Sequence, residues 1–166
     1  MGKAKLADTS IDKLNKSINE LVNKTDHNTA AIWAIDCAER VLPYFEKTYP
    51  EDNRPRKAIE AGRAWVRSEL KMTEARKAAF ASHAAARDAN QVAEARCAAR
   101  AAGHAAATAH VASHAVYAAA YAVTAVRAAT DSADADIATA QERDWQYQHL
   151  LGLRATIQNR TIDPMS

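Results

Sequence analysis

Glycine and proline number only four each in 166 residues. Such a chain is poor in turn formers, and no stretch of it reads as a β-strand. Cysteine occurs twice, at Cys37 and Cys97, far apart and outside any CxxC pair. That excludes a disulfide framework and a dithiol redox motif, and predicts two buried free thiols in a reducing cytoplasm. No apolar run is long enough to span a bilayer, because His, Arg and Asp interrupt the alanine stretches. Met1 to Asp8 is polar, so no secretory leader is expected. No strongly basic stripe interleaved with aromatics appears, which argues against nucleic acid as a partner. Enzyme signatures are missing too: there is no glycine-rich phosphate loop, no GxSxG, no HExxH, and no cysteine placed with a histidine in a reactive setting.

What the chain has is alanine. It fills 31 of the 66 positions from Ala75 to Ala140, and alanine is the strongest intrinsic helix former. It adds almost no width, so helices made of it approach closely. The expected fold is all-α: a compact bundle of six to seven helices with a tightly packed alanine-rich core. One domain over residues 9–160 is expected, with an irregular start at 1–8 and a flexible tail at 161–166.

Along the chain, Asp8-Thr9-Ser10 offers caps for a first helix to about Asn23, apolar at Ile11, Leu14, Ile18, Leu21 and Val22. A second, central helix spans about Thr29 to Leu42, where Pro43 kinks or ends it. Tyr44, Phe45 and Tyr49 form a short continuation. A third helix covers Arg54 to Leu70, with Pro55 in its first turn. A fourth covers Thr73 to Ala89, and a fifth runs from a cap at Asn90 to Gly103 or beyond. A sixth covers Ala106 to Ala129, and a seventh follows Thr130-Asp131-Ser132 to about Gln158. The three tryptophans, Trp33, Trp65 and Trp145, are expected in the core.

The formal charge is only +2, but it is unevenly spread. Eight Lys or Arg against three Glu lie between Arg54 and Lys77, and two Arg against five acids between Arg127 and Asp144. On the sixth helix as predicted, His114, Tyr117, Tyr121 and Thr124 all fall within about 40° of His110, at 100° per residue. This stripe admits three readings: a buried polar network, a cleft or partner-facing surface, or a metal site. The network reading rests on the cost of leaving a buried polar group unpaired, about 1–3 kcal/mol. For zinc or another divalent metal, His110 and His114 are the candidate pair. His104 joins only through a bend at Gly103, and Asp36, Glu60 and His83 are possible further donors. A small-molecule reading puts Tyr117, Tyr121 and the histidines around a pocket between helices. Arg54-Pro55-Arg56-Lys57-Ala58-Ile59-Glu60 is either a proline-initiated helix with a solvated charged face or an arginine fork for a carboxylate or phosphate. Glu60, Arg63 and Arg67 continue the stripe of Arg56 and can pair along it. His83 and Arg87, four apart, read as a pair satisfied by an acid.

The strings WAIDCAERVL (33–42), DNRPRKAIEAGRAWVRSEL (52–70) and AAGHAAATAHVASHAVYAAAYA (101–122) resemble a family of small bacterial immunity proteins with an alanine-rich helical domain. ERDWQYQHL (142–150) falls in the expected place, and the likeness covers roughly residues 28 to 150. It implies an all-α cytoplasmic bacterial protein that protects its producer against a toxin, and it supplies no catalytic residue to carry over; a protein that works by binding a partner is expected to need no cofactor. By motif, the shared positions are Asp36, Arg54, Arg56, Glu60, Trp65, His104, His110 and His114. Inhibitors of basic nucleases are often strongly acidic, because charge steers the encounter. A slightly basic chain therefore points away from a nuclease.

Overall fold

The computed structural model describes the backbone of residues 2–162 and the side chains of residues 10–161. The ends expected to be irregular, 1–8 and 161–166, fall almost entirely outside those side chains. Seven α-helices and no strand are found among the described residues: α1 Gly2–Asn23, α2 His27–Thr48, α3 Arg54–Val66, α4 Met72–Asp88, α5 Ala93–Ala107, α6 His114–Ala129 and α7 Ala135–Ile162. None is long and apolar enough to cross a membrane.

Two helices organise the bundle. α2 packs on α3, α5, α6 and α7, while α5 packs on α2, α3, α4 and α6. The result is one layer of α4, α5 and α6 laid over another of α3, α2 and α7, with α1 along α7. α2 carries the large core side chains: Trp33, Ile35, Leu42 and Phe45 are all buried. α5 answers with alanine, and Ala95, Ala98, Ala99, Ala101, Ala102, Ala105 and Ala106 are buried along it. Close approach is literal at Gly62 on α3, where a Cβ would stand 3.0 Å from Ile35 Cδ1.

Several boundaries differ from the sequence reading, each for a physical reason. α2 starts at His27, capped by Asp26, whose carboxylate accepts from the Thr29 backbone N–H at 2.9 Å and its hydroxyl at 2.6 Å. It does not end at Pro43 but continues to Thr48. A mid-helix proline costs about 3 kcal/mol, but Val41, Leu42 and Phe45 on both sides of it are buried, and that burial outweighs the lost hydrogen bond. α3 stops at Val66 rather than Leu70. Ser68 takes a left-handed φ of 60°, its N–H donates to Trp65 O, and the N–H of Glu69 donates to Ala64 O. This is a Schellman ending made without glycine. α5 begins at Ala93, not Asn90, and continues through Gly103.

The largest correction concerns the predicted sixth helix. It is broken: α5 ends at Ala107, Thr108 to Ser113 turn, and α6 starts at His114. The turn holds itself with His110 N–H to Ala107 O and His114 N–H to Val111 O. An imidazole from α2 pins it, since His27 Nε2 donates to the Thr108 carbonyl. Alanine propensity favours one long helix, but reversal lets two alanine faces bury each other, and tertiary packing outweighs propensity.

Both cysteines are free and buried, as expected. Of the tryptophans only Trp33 is fully buried, while Trp65 and Trp145 are half-buried. Trp33 Nε1 donates to Gln146 O at 2.8 Å, and Gln146 Nε2 donates to Ala119 O at 2.9 Å. Arg143, buried on α7, donates to Asn15 Oδ1 and Gln146 Oε1. The buried polar network thus ties α7 to α1, α2 and α6, away from the histidines.

Candidate functional site

From Ala95 to Ala107, α5 is buried except at Arg96, Arg100 and His104. These are spaced by four, so they form one strip along the helix. α4 flanks it with Arg76, Phe80, His83 and Arg87, which share a face at spacings of four, three and four. α6 flanks it on the other side with His114, Tyr117 and Tyr121. Three strips from three helices therefore lie side by side.

Gly103 brings α4 and α5 together here. A Cβ at this position would stand 2.7 Å from His83 Cε1, 2.8 Å from Nε2 and 2.9 Å from Nδ1. The imidazole of His83 occupies the space that the glycine leaves. Its Nδ1 lies 3.0 Å from Arg100 Nη1. A guanidinium only donates, so this Nδ1 accepts and the proton sits on Nε2. The His83 ring meets His104 edge-on at 4.8 Å between centroids. His104 lies against Tyr121 at 5.3 Å with 10° between planes, and against His114 at 5.2 Å. Tyr117 is 5.5 Å from His104 and 6.2 Å from His114. His104 Nδ1 and His114 Nδ1 face each other at 3.0 Å, so one donates and the other accepts.

Burial, followed by the neighbouring Arg100 charge, pushes His83 down to about 4. Burial, followed by His83 and His114, pushes His104 down to about 4. Burial, followed by His110, lowers His114. At neutral pH all three rings are uncharged. Their surroundings are cationic, and among the described residues no carboxylate pairs with Arg76, Arg87, Arg96 or Arg100. Phe80 and Tyr117 are 59% and 54% exposed. Both side chains therefore stand out on this surface.

The structure thus joins His104, His114, Tyr117 and Tyr121 and adds His83. His104, which points elsewhere on a continuous helix, is folded back onto α6 by the turn. His110 leaves the stripe: it is exposed on that turn, and the four-residue helical spacing that would let His110 and His114 share a metal does not exist. No group of three or more His, Cys, Asp or Glu able to hold a metal occurs among the described residues. The Arg100 charge beside His83 also opposes a cation there. Arg87 is exposed, and His83 meets Arg100 rather than an acid.

The other predicted residues lie on the opposite layer, where most of them are ion-paired. Asp36 accepts from Arg63 at 2.9 Å and from His149 Nε2 at 2.7 Å, and Arg63 also holds Glu39. Arg56 pairs with Glu46 at 2.5 Å and with Glu39 at 3.6 Å. Arg54 pairs with Asp52 and Asp88. Glu60 is exposed and makes no ion pair among the described residues. Arg63 reaches across to α2, and Arg67, one residue past α3, pairs with Glu69. Sequence reasoning missed Arg40 and His149, which lie against the Trp145 ring at 3.9 Å and 4.7 Å, and Arg40's bidentate pair with Glu142. It also missed Arg96, Arg100 and Phe80. The spacing Arg96, Arg100, His104 was the available signal for two of them.

No curated protein and no solved structure matches the chain. The model of the family described as Imm-5 like putative immunity protein matches residues 20–153. That span takes in the end of α1, all of α2 to α6 and most of α7, including both faces described above. The chain therefore belongs to the Imm-5 like immunity protein family.

Proposed function

We propose that this protein is a cytoplasmic bacterial immunity protein that neutralises a protein toxin by stoichiometric docking, without catalysis, through the face of α4, α5 and α6. The observation that carries this reading is the contrast between the two layers. On the α2–α3–α7 side, Arg40, Arg54, Arg56 and Arg63 each pair with a carboxylate. On the α4–α5–α6 side, four arginines lack carboxylate partners among the described residues, and two large aromatics stand exposed. Arginine and tyrosine at the centre of a surface are the residue types that dominate binding energy at interfaces. An aromatic ladder locked by stacking loses little entropy on docking.

The test is co-expression with candidate toxins drawn from the genes that neighbour this one in its host, scored by growth and by recovery of a complex. The proposal expects rescue by the wild-type chain and a one-to-one complex. It expects both to be lost in the Arg100→Glu, Tyr117→Ala chain while helical content is kept. Rescue at amounts far below those of the toxin would indicate turnover and contradict docking, as would full rescue by the double variant.

A further inference from the structure

The donors and acceptors at the histidine cluster are out of balance. Arg100 has five N–H groups and gives one to His83 Nδ1. His83 then presents Nε2–H. His104 and His114 share one proton between their facing Nδ1 atoms. With both rings neutral, one of the two presents Nε2–H and the other a bare Nε2. The cluster therefore offers the remaining guanidinium donors, two imidazole N–H groups and the phenol groups of Tyr117 and Tyr121, against one free ring acceptor. Among the described residues no carboxylate hydrogen-bonds to any of these donors. A cation is unsuited, because Arg100 already supplies positive charge. A carboxylate fits: it brings two oxygens with about four acceptor positions and takes a guanidinium bidentately.

We infer that the occupant of this face is an acidic protein segment, with one Asp or Glu carboxylate seated between Arg100 and the His83, His104 and His114 imidazoles. Arg96 lies one turn before Arg100 on the same strip, and Arg76 and Arg87 lie on the flanking strip of α4, so further acidic residues beside the seated one meet charge of opposite sign. Phe80 and Tyr117 cover the aliphatic parts of such a segment. This reading rests on the proposed docking face and names the chemistry of the partner. It also explains how a slightly basic chain serves as an inhibitor: the acidic side of the pair is the toxin, the reverse of the arrangement used against basic nucleases.

The test uses the full chain and probes that do not require the toxin. Histidine C2–H signals are followed by NMR at neutral pH while hexaglutamate, hexalysine, inorganic phosphate or polyuridine is added. The inference expects hexaglutamate, at about 10 mM or below, to move the signals of His83, His104 and His114. His27, held by the Thr108 carbonyl, and His149, held by Asp36, serve as controls that stay still. Hexalysine should move none of them. Arg100→Gln should weaken hexaglutamate about five- to tenfold, the loss expected for one charge-assisted contact. Unchanged His27 and His149 signals in that variant show that the fold survives. The inference is overturned if hexaglutamate moves no cluster histidine, if His149 moves equally, or if Arg100→Gln binds as well as wild type. Tighter response to phosphate assigns the site to a free anion, and tighter response to polyuridine to nucleic acid; either result overturns it. Growth rescue lost while hexaglutamate binding stays intact would refute the toxin reading alone. Growth rescue kept with no peptide response would refute this inference alone.

Discussion

Gly103→Ala is the substitution whose sign the structure decides most clearly. In a helix interior, alanine is favoured over glycine by about 0.8–1.0 kcal/mol, so on propensity alone the change stabilises. The structure opposes it. The new Cβ would stand 2.7 to 2.9 Å from three ring atoms of His83, inside any tolerable contact. If the ring stays, overpacking costs about 1–3 kcal/mol. If it swings out, it gives up the Arg100 hydrogen bond at 3.0 Å and the edge contact with His104, and a bond to a charged group contributes about 1.5–3 kcal/mol. Either route exceeds the propensity gain, and the net expectation is a loss of about 1–2 kcal/mol. In a chain of this length that is a fall of about 3–6 °C in melting temperature. The control is His83→Ala, which empties the space. In that background Gly103→Ala should stabilise by about 0.5–1 kcal/mol. The assay is denaturant unfolding of the four chains of this cycle, followed by far-ultraviolet circular dichroism at neutral pH. If Gly103→Ala stabilises the wild-type chain as much as it stabilises His83→Ala, the imidazole does not lie over Gly103 and the site geometry is wrong.

Ser68→Gly removes a β-carbon from a left-handed residue with φ of 60° and should raise stability by about 0.5–1 kcal/mol, read as a higher denaturant midpoint. Gln146→Leu takes away the acceptor of the Arg143 guanidinium and the donor to Ala119 O; leaving a buried cation short of a partner should cost about 2–4 kcal/mol, read in the same assay. The histidines set a pH dependence. His83 and His104 fall from 6.5 to about 4 on folding, so between those values the unfolded chain binds more protons than the folded one. Their contribution is complete above pH 6.5 and is lost as the pH falls toward 4, roughly 1–2 kcal/mol for each half-buried ring. A stability profile that is flat over this window, or no shallower in His83→Gln, would refute the burial of these rings.

Much of the architecture is written in local pattern. The alanine stretches, the helical spacing of the apolar residues and the scarcity of glycine and proline mark out seven helices, because helix propensity and amphipathic pattern act within a turn or two. The hidden features arise from contacts between helices. Nothing in TAHVAS (108–113) announces a turn, since neither glycine nor proline interrupts it. The reversal exists because α5 and α6 bury alanine against alanine and because His27, about eighty residues earlier, holds the Thr108 carbonyl. Gly103 reads as a breaker but serves as a seat for His83. Pro43 reads as a stop but is carried through by burial on both sides. At the site, the Tyr117 and Tyr121 strip and His114 are legible from periodicity. His104 is not, since on one continuous helix it points away; only the turn brings it round. Arg100 is also hidden, because its importance lies in the His83 ring that a different helix places against it.

On the proposed reading, toxin binds on α4, α5 and α6 and not on the ion-paired layer. The most direct measurement is the dissociation constant of the toxin for wild type, for Arg100→Glu with Tyr117→Ala, and for Arg63→Gln, which cuts the link between Asp36 and Glu39 on the other layer. The account predicts weakening of about a hundredfold or more for the double variant, as for two central contacts, and little change for Arg63→Gln. Weakening confined to Arg63→Gln, with the double variant binding like wild type, would contradict it.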